Sequence, residues 1–375
     1  MSCFDHMRRL RILLALIPVY AAFLCVSAAA QTVDPYTVGG VDVDKTAESA
    51  DAARGLALAE GRQLAFRRLL DRLVPDHERP KVPLPAAEQL EGLISGVQIE
   101  SEKNSQVRYI ATLSIGFAAD EVRRYLRESG AGFAETFSKP LVVLPVLRRE
   151  GGDLLWETEN SWRKAWAELP RSYALVPLSV PGDDPQLNEL INADQALNGE
   201  QSRISAVAGR YGAGGVLLAV AAVRTDAKTS ETVIELVISR FGTGAADNTE
   251  VRSLRAAPDT PVESLLAQAA AQIRADISES WKVNNQIRFE DRATIDATVA
   301  FSGLPQWISI RARLESVAAI DQVEIDRISR KKAFLRLHYF GDPAQLRIGL
   351  SQRNLDLIRD AENWVIAVVD GTATR

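Results

Sequence analysis

Residues 141–146 read Leu-Val-Val-Leu-Pro-Val, a continuous apolar run. A strand that is buried on both faces shows such a run, because neither of its faces meets water. A second run of this kind extends from Val216 to Ala222. Helical patterns lie between and after the two runs, and alternation of strands with helices is typical of an α/β domain. We therefore predict a central α/β domain at residues 139–285.

The other elements of this domain follow from periodicity and turn residues. Apolar residues at helical spacing predict helices, and short β-branched and apolar runs predict strands. The predicted elements after the first strand are helix 161–169, strand 173–180, helix 194–211, strand 216–222, strand 232–238 and helix 262–282.

The last part of the chain, residues 288–375, shows the element order β-α-β-β-α-β. The predicted elements are strand 295–301, helix 305–317, strands 323–328 and 334–339, helix 343–350 and strand 364–369. This order is that of the split βαβ, ferredoxin-like sandwich. That fold carries many unrelated functions, so the order by itself indicates none of them.

Residues 33–138 predict an N-terminal α+β domain. A long helix from Glu48 to Val74 follows a first strand, and strands 97–102 and 107–117 form a hairpin around a polar turn. The 375 residues exceed what one hydrophobic core normally holds. The predicted fold class is therefore a multidomain chain of the α+β and α/β types.

The N-terminus has the three parts of a secretory signal peptide. Arg8, Arg9 and Arg11 precede an apolar run, Ile12 to Val26, and small residues follow it. The run of about 15 residues is shorter than the roughly 20 that a membrane-spanning helix needs. We predict a signal peptide at residues 1–30, cleaved between Ala30 and Gln31, and export to the periplasm.

Composition excludes several classes of function. Both cysteines, Cys3 and Cys25, lie within the predicted signal peptide, so disulfide and thiolate chemistry are not expected in the mature chain. A net charge of −5 with interspersed signs argues against nucleic acid as a partner. No later segment approaches the roughly 18 apolar residues of a membrane-spanning helix. We expect a soluble mature chain that uses no cofactor.

Three tryptophans follow the first buried strand of the central domain. Ligands of α/β sheets commonly bind at the carboxyl ends of strands, and aromatic side chains stack on sugars or anchor protein partners. Trp156, Trp162 and Trp166 are therefore candidates for ligand or partner binding. Trp162 and Trp166 share a helix face at the i, i+4 spacing, which is equally typical of core packing.

A catalytic site has weak support in the sequence. Ser161 and Lys164 have the Ser-x-x-Lys spacing of penicillin-binding enzymes, but neither of that motif's partner sequences is present. The more ordinary interpretation is that Asn160 or Ser161 caps a helix and Lys164 lies on its solvated face. We assign no catalytic residue.

Metal binding has equally weak support. His77 and His338 are far apart in the sequence and form no metal-binding motif. Asp42 and Asp44 lie on one face of a predicted strand, where two carboxylates can contribute to a cation site. Val41 and Val43 form the buried face of that strand, so the two aspartates are better explained as its solvated side. We assign no metal site.

Short motifs in all three domains resemble a known exported family. They are Val41-Asp42-Val43-Asp44, Ala52-Ala53-Arg54, Ala65 to Leu70, Leu155-Trp156, Asn160-Ser161-Trp162 and Gly303 to Trp307. Together they resemble the bacterial domain-of-unknown-function 2066 family. The resemblance implies a protein of the bacterial envelope and supplies no catalytic residues.

Export, several small modules and the lack of a catalytic set favour a non-enzymatic envelope adaptor that acts through contacts with another envelope protein. One alternative is a periplasmic module that binds a small ligand, such as a cell-wall fragment, beside Trp156 and Trp162. A second alternative is a hydrolase that uses Ser161 and Lys164.

Overall fold

A computed structural model of the chain describes residues 34–182, 184–242, 249–360 and 363–369. In these ranges the chain forms three β-sheets and ten α-helices. The expectation of a chain that mixes helices and sheets is confirmed at this level. The predicted signal peptide, 1–30, and its cleavage point between Ala30 and Gln31 lie outside the described residues.

The N-terminal module carries a three-stranded antiparallel sheet in the order β1-β3-β2, with the predicted hairpin formed by β2 and β3. Its elements are β1 (Thr37–Thr46), α1 (Ala50–Leu73), a short 3₁₀ helix (Arg79–Lys81), α2 (Ala87–Leu93), β2 (Ile94–Asn104), β3 (Arg108–Phe117) and α3 (Ala119–Glu128). Helix α1 packs closely on this sheet at Gly61, where a Cβ atom would lie 2.6 Å from Leu113 Cδ1.

The central module carries a five-stranded sheet in the order β5-β4-β6-β7-β8. Its elements are β4 (Leu141–Arg148), α4 (Ser161–Ala167), β5 (Leu178–Ser179), α5 (Pro185–Leu190), α6 (Ala193–Leu197), α7 (Gln201–Arg210), β6 (Gly215–Thr225), β7 (Thr232–Gly242), β8 (Thr249–Ala256) and α8 (Val262–Asn285). Strands β5, β4 and β6 are parallel, and β6, β7 and β8 are antiparallel.

Strand β4 is buried on both faces, as the apolar run predicts. Val143 and Leu147 pack into the core that α4 and α8 cover. Val142, Leu144 and Val146 pack into the core on the other face, against α6 and α7.

Several elements of the central module differ from prediction, and α5 is one that the sequence pattern does not predict. The predicted strand 173–180 is only Leu178–Ser179, since the flanking Pro177 and Pro181 lack the N–H that a ladder needs. The predicted helix 194–211 is interrupted at Gly199, which adopts a φ of 67°. Strand β8 is absent from the prediction because this edge strand is largely polar.

The C-terminal module carries a second five-stranded sheet, in the order β10-β11-β9-β13-β12. Its elements are β9 (Arg292–Ala300), α9 (Leu304–Glu315), β10 (Ile320–Ile328), β11 (Lys332–Phe340), α10 (Pro343–Ser351), β12 (Leu355–Asp360) and β13 (Asn363–Val368). The sequence pattern does not predict β12. The last strand, β13, lies between β12 and β9 and is parallel to β9.

Helix α8 connects the central module to the N-terminal one. Lys282 is 4% exposed, and its Nζ donates to the carbonyls of Asp71 and Val74 at the end of α1, at 2.9 and 3.0 Å. The indole of Trp281 donates to the carbonyl of Thr136, 2.7 Å away. These bonds hold α8 in place, and α8 contributes one side of the cleft beside α4. Across the described ranges, no helix has both the length and the hydrophobicity that crossing a membrane requires.

Candidate binding cleft

Asn160 fixes the start of α4 to the end of β4. Its Oδ1 accepts from the Arg163 N–H at 3.0 Å, which makes it the N-cap of the helix. Its Nδ2 donates to the carbonyls of Pro145, Leu154 and Leu155 at 2.9 to 3.1 Å. The side chain is 2% exposed. One buried amide therefore sets where α4 begins and how it lies against the sheet.

Trp162 and Trp166 form the buried face of α4. Trp162 is fully buried, and its indole donates to the carbonyl of Ala219 in β6, 2.8 Å away. The two rings meet edge to face, with centroids 5.6 Å apart. Trp166 is also buried, but in the described part of the chain its indole N–H has no hydrogen-bond acceptor. Both side chains belong to the core between α4, α8 and the sheet.

Trp156 lies apart from the other two tryptophans. It is half-buried against the core on the opposite face of the central sheet, and its indole donates to the carbonyl of Ile191 at 2.7 Å. The structure thus does not bring the three predicted binding residues together. Trp166 lines a cavity.

That cavity is an open cleft of about 690 Å³ beside α4. Helix α4 forms one wall, the segment from Leu169 to Gly182 forms another, and Arg274 of α8 contributes from a third side. Apolar side chains lie along it: Trp166, Leu169, Val176, Leu178 and Val180.

Among the described residues, four cationic side chains and one carboxylate line the same cleft: Arg163, Lys164, Arg171, Arg274 and Glu157. The carboxylate of Glu157 accepts from the N–H of Leu155 at 2.7 Å. Arg163 donates to the carbonyls of Trp156 and Pro181, at 3.2 and 3.4 Å, and so bridges two parts of the wall. The described lining therefore combines apolar contact area with more cationic than anionic side chains.

Arg274 is the most distinctive of these cations. Its Nη1 donates to the carbonyl of Pro170, 2.6 Å away. Burial lowers the pKa of its guanidinium, since desolvation disfavours the charged form. Arginine nevertheless remains charged at neutral pH. No carboxylate of the described residues lies within ion-pair distance of it, so an anion in the cleft would supply a missing counter-charge.

The residues considered for catalysis lie outside this arrangement or on its rim. Lys164 is 70% exposed and lies 3.8 Å from Glu168, on the solvated side of α4. Ser161 is the first residue of the helix, and Asn160 rather than Ser161 is its cap. The two side chains therefore have the ordinary placement that the sequence also allowed.

The aspartates considered for metal binding are engaged across the N-terminal sheet. Asp42 accepts from the Thr112 hydroxyl at 2.8 Å. Asp44 accepts two hydrogen bonds from Arg108, at 2.6 and 2.8 Å, and these bonds lower the pKa of the Asp44 carboxyl. Within the described ranges, no group of three histidine, cysteine or acidic side chains is arranged to hold a metal ion.

Sequence reasoning missed Arg274 and the outer edge of β5. Arg274 lies on α8, and the sequence pattern shows only that this position is polar. It does not show that the side chain reaches the loop after α4, which comes more than 100 residues earlier in the chain. Sequence reasoning does include Trp166 among the binding candidates, because it follows a buried strand.

No protein-family model matches the chain. No curated protein matches it either. Among solved structures, part of the chain is similar to a PelC dodecamer from Paraburkholderia phytofirmans, with 13% identity and a TM-score of 0.25 over 38% of this chain and 88% of that one. It is also similar to lipoprotein GNA1162 from Neisseria meningitidis, with 13% identity and a TM-score of 0.23 over 38% of this chain and 99% of that one.

Proposed function

We propose that the chain is an exported, non-enzymatic binding protein that holds a partly apolar anion in the cleft beside α4. The observation that supports this most directly is Arg274, a partly buried guanidinium that donates to a backbone carbonyl and has no carboxylate of the described residues within ion-pair distance. Leaving a charge partly desolvated and unpaired is unfavourable, and a bound anion relieves that cost.

The rest of the cleft agrees with a ligand of this chemistry. Its volume of about 690 Å³ lies in the range of about 300 to 1,000 Å³ that small-molecule sites occupy. Leu178 and Val180 offer apolar contact, and Arg171 adds a second cation to the lining. A ligand with an apolar body and one negative group matches both features.

Calorimetric titration with octanoate tests this function. We expect saturable binding to the wild-type protein and an affinity about tenfold lower for Arg274→Gln, since a charged hydrogen bond contributes roughly 1.5 to 3 kcal/mol. Arg330→Gln makes the same charge change at an exposed position outside the cleft and should bind as the wild type does. Octylammonium should not bind. Equal octanoate affinity for both variants would refute the proposal.

A second proposal is the envelope adaptor, and one surface favours it. Leu304 and Ile308 are 67% and 59% exposed and lie one turn apart on α9. Exposed apolar side chains in a cluster are typical of contact surfaces. Affinity purification from cross-linked envelopes tests the adaptor: one envelope protein should be enriched by the wild type and lost with Leu304→Ser/Ile308→Ser. Enrichment unchanged in the double variant would contradict it.

Export and family membership are proposals that rest on the sequence. Arg8, Arg9 and Arg11, the apolar run and the small residues before Gln31 support a cleaved signal peptide. The motifs described above support membership of the domain-of-unknown-function 2066 family. N-terminal sequencing of periplasmic protein should begin at Gln31; an uncleaved chain would contradict the export proposal.

We also propose that residues 288–375 form a ferredoxin-like domain with one added strand. The order β10-β11-β9 and the helices α9 and α10 support this. In the standard fold the strand after the second helix pairs directly with the first strand. Here β13 occupies that position, and β12 forms the new edge.

A further inference from the structure

Strand β5 is an edge strand whose outer side is open. Among the described strands it pairs only with β4, with Leu141 opposite Leu178 and Val142 opposite Ser179. The N–H of Leu141 donates to the carbonyl of Pro177 at 2.9 Å. Since the backbone groups of a parallel strand alternate in direction, those of Leu178 and Val180 point away from β4. None of the described residues forms a hydrogen bond with the backbone N–H or C=O groups of Leu178 and Val180.

The open edge lies along the cleft. Leu178 and Val180 line it on one side, and Arg163 and Trp166 of α4 line it on the other. A groove between an edge strand and a helix is a geometry that extended peptides occupy by adding a strand to the sheet. The flanking Pro177 and Pro181 keep the available ladder short, which also prevents long edge-to-edge pairing between copies.

The charges indicate which part of a peptide fits. An internal segment of peptide is uncharged along its backbone and leaves Arg274 without a counter-ion. A C-terminal segment ends in a carboxylate, which guanidinium groups bind with short, charge-assisted hydrogen bonds. Arg274 and Arg171 both line the cleft, and the apolar wall suits the side chains that precede the carboxylate.

We infer that the cleft binds the extended C-terminal segment of a partner protein, which pairs with the outer edge of β5 and places its terminal carboxylate at Arg274. This inference rests on the proposed function and specifies its ligand. The partner segment consists of L-residues, because D-residues disrupt the twist and side-chain alternation of a paired strand. The segment is short, since Leu178 and Val180 supply the exposed pairing groups.

The test uses the acetylated pentapeptide Thr-Val-Ser-Val-Leu with a free carboxylate as the probe, in competition with octanoate on the full chain. We expect the peptide to displace octanoate. The C-terminal amide should bind about tenfold more weakly, and so should a peptide that is N-methylated at its three internal residues, which cannot donate to β5. Arg274→Gln should remove the difference between acid and amide, and Arg330→Gln should retain it.

The outcomes separate this inference from the proposed function. If octanoate binds through Arg274 but no peptide displaces it, the inference is wrong and the proposed function stands. If neither octanoate nor peptide binds, both are wrong. Equal affinity of the N-methylated peptide would exclude strand pairing. Stronger binding of a peptide that ends in two D-alanines would identify a cell-wall fragment as the ligand and overturn the partner segment.

Discussion

The guanidinium of Arg274 on α8 donates to the carbonyl of Pro170, 2.6 Å away, in the loop that follows α4. This bond joins two parts of the central module that are distant in the sequence. It holds a cation at the cleft and fixes the loop that forms the cleft wall. The features that define the candidate site therefore depend on the packing of α4 and α8 against one sheet.

The two buried tryptophans of α4 should differ in their contribution to stability. Trp162→Phe removes the indole N–H and leaves the buried carbonyl of Ala219 without that donor. Trp166→Phe removes an N–H that has no acceptor among the described residues. Both changes remove a similar volume, so we expect Trp162→Phe to cost about 1 to 2 kcal/mol more. Urea unfolding of the two variants measures the difference, and equal losses would contradict the account.

Asn160 should contribute more to stability than an ordinary helix cap. Asn160→Ala removes the cap of α4 and the donor to three carbonyls, so we expect a loss of about 3 kcal/mol. Asn192→Ala is the matched control. It removes the exposed cap of α6 and should cost about 1 kcal/mol. Similar losses in urea unfolding would show that the three carbonyl bonds contribute little.

The sequence predicts a helix or strand best where burial is the same along the whole element. The runs at Leu141 and Val216 lie in strands buried on both faces, so every residue is apolar. Strands β8 and β12 lie at sheet edges, where much of each strand faces water and the apolar signal weakens. Sequence patterns also do not predict the split of helix 194–211 at Gly199 or the addition of β12 beyond β13.

The candidate site was predictable only in part, for a related reason. The i, i+4 spacing places Trp162 and Trp166 on one face of α4, and both interpretations of that face remained open. The cleft depends on tertiary contacts, such as that between Arg274 and Pro170, which no local pattern encodes. Trp156 follows the same strand in sequence but packs on the other face of the sheet.

Lys282 should be important for the connection between the N-terminal and central modules. Lys282→Met leaves the carbonyls of Asp71 and Val74 without this donor and Glu279 without its ion-pair partner. We expect a loss of about 3 kcal/mol in urea unfolding, together with faster proteolysis at the end of α1. Lys164→Met removes an exposed cation 3.8 Å from Glu168 and should be nearly neutral. A neutral Lys282→Met would contradict the role of this contact.

Glu78 should make stability depend on acidic pH. Burial acts to raise its pKa, but hydrogen bonds from Lys81 and the Gly132 N–H outweigh burial and lower it. Because the Glu78 carboxyl has a lower pKa in the folded chain than in the unfolded chain, its ionised form stabilises the fold at pH values above the unfolded pKa. This contribution to stability is lost as the pH falls through the folded pKa. Glu78→Gln should therefore lose less stability than the wild type between about pH 5 and 3.

Urea midpoints measured across that pH range test the Glu78 prediction. Glu128→Gln, at an exposed position without an ion pair among the described residues, is the control and should follow the wild type. Parallel curves for Glu78→Gln and the wild type would show that Glu78 has no such role.

The most direct test of the binding cleft is an amide and indole NMR titration of the full chain with the free-acid pentapeptide. The account predicts saturable shifts at Leu178, Val180 and the Trp166 indole, with slowed exchange of the Leu178 and Val180 amides as they enter a ladder. In Arg274→Gln the same changes should need about tenfold more peptide. Saturable shifts confined to another surface, with Leu178, Val180 and Trp166 unchanged, would contradict the account.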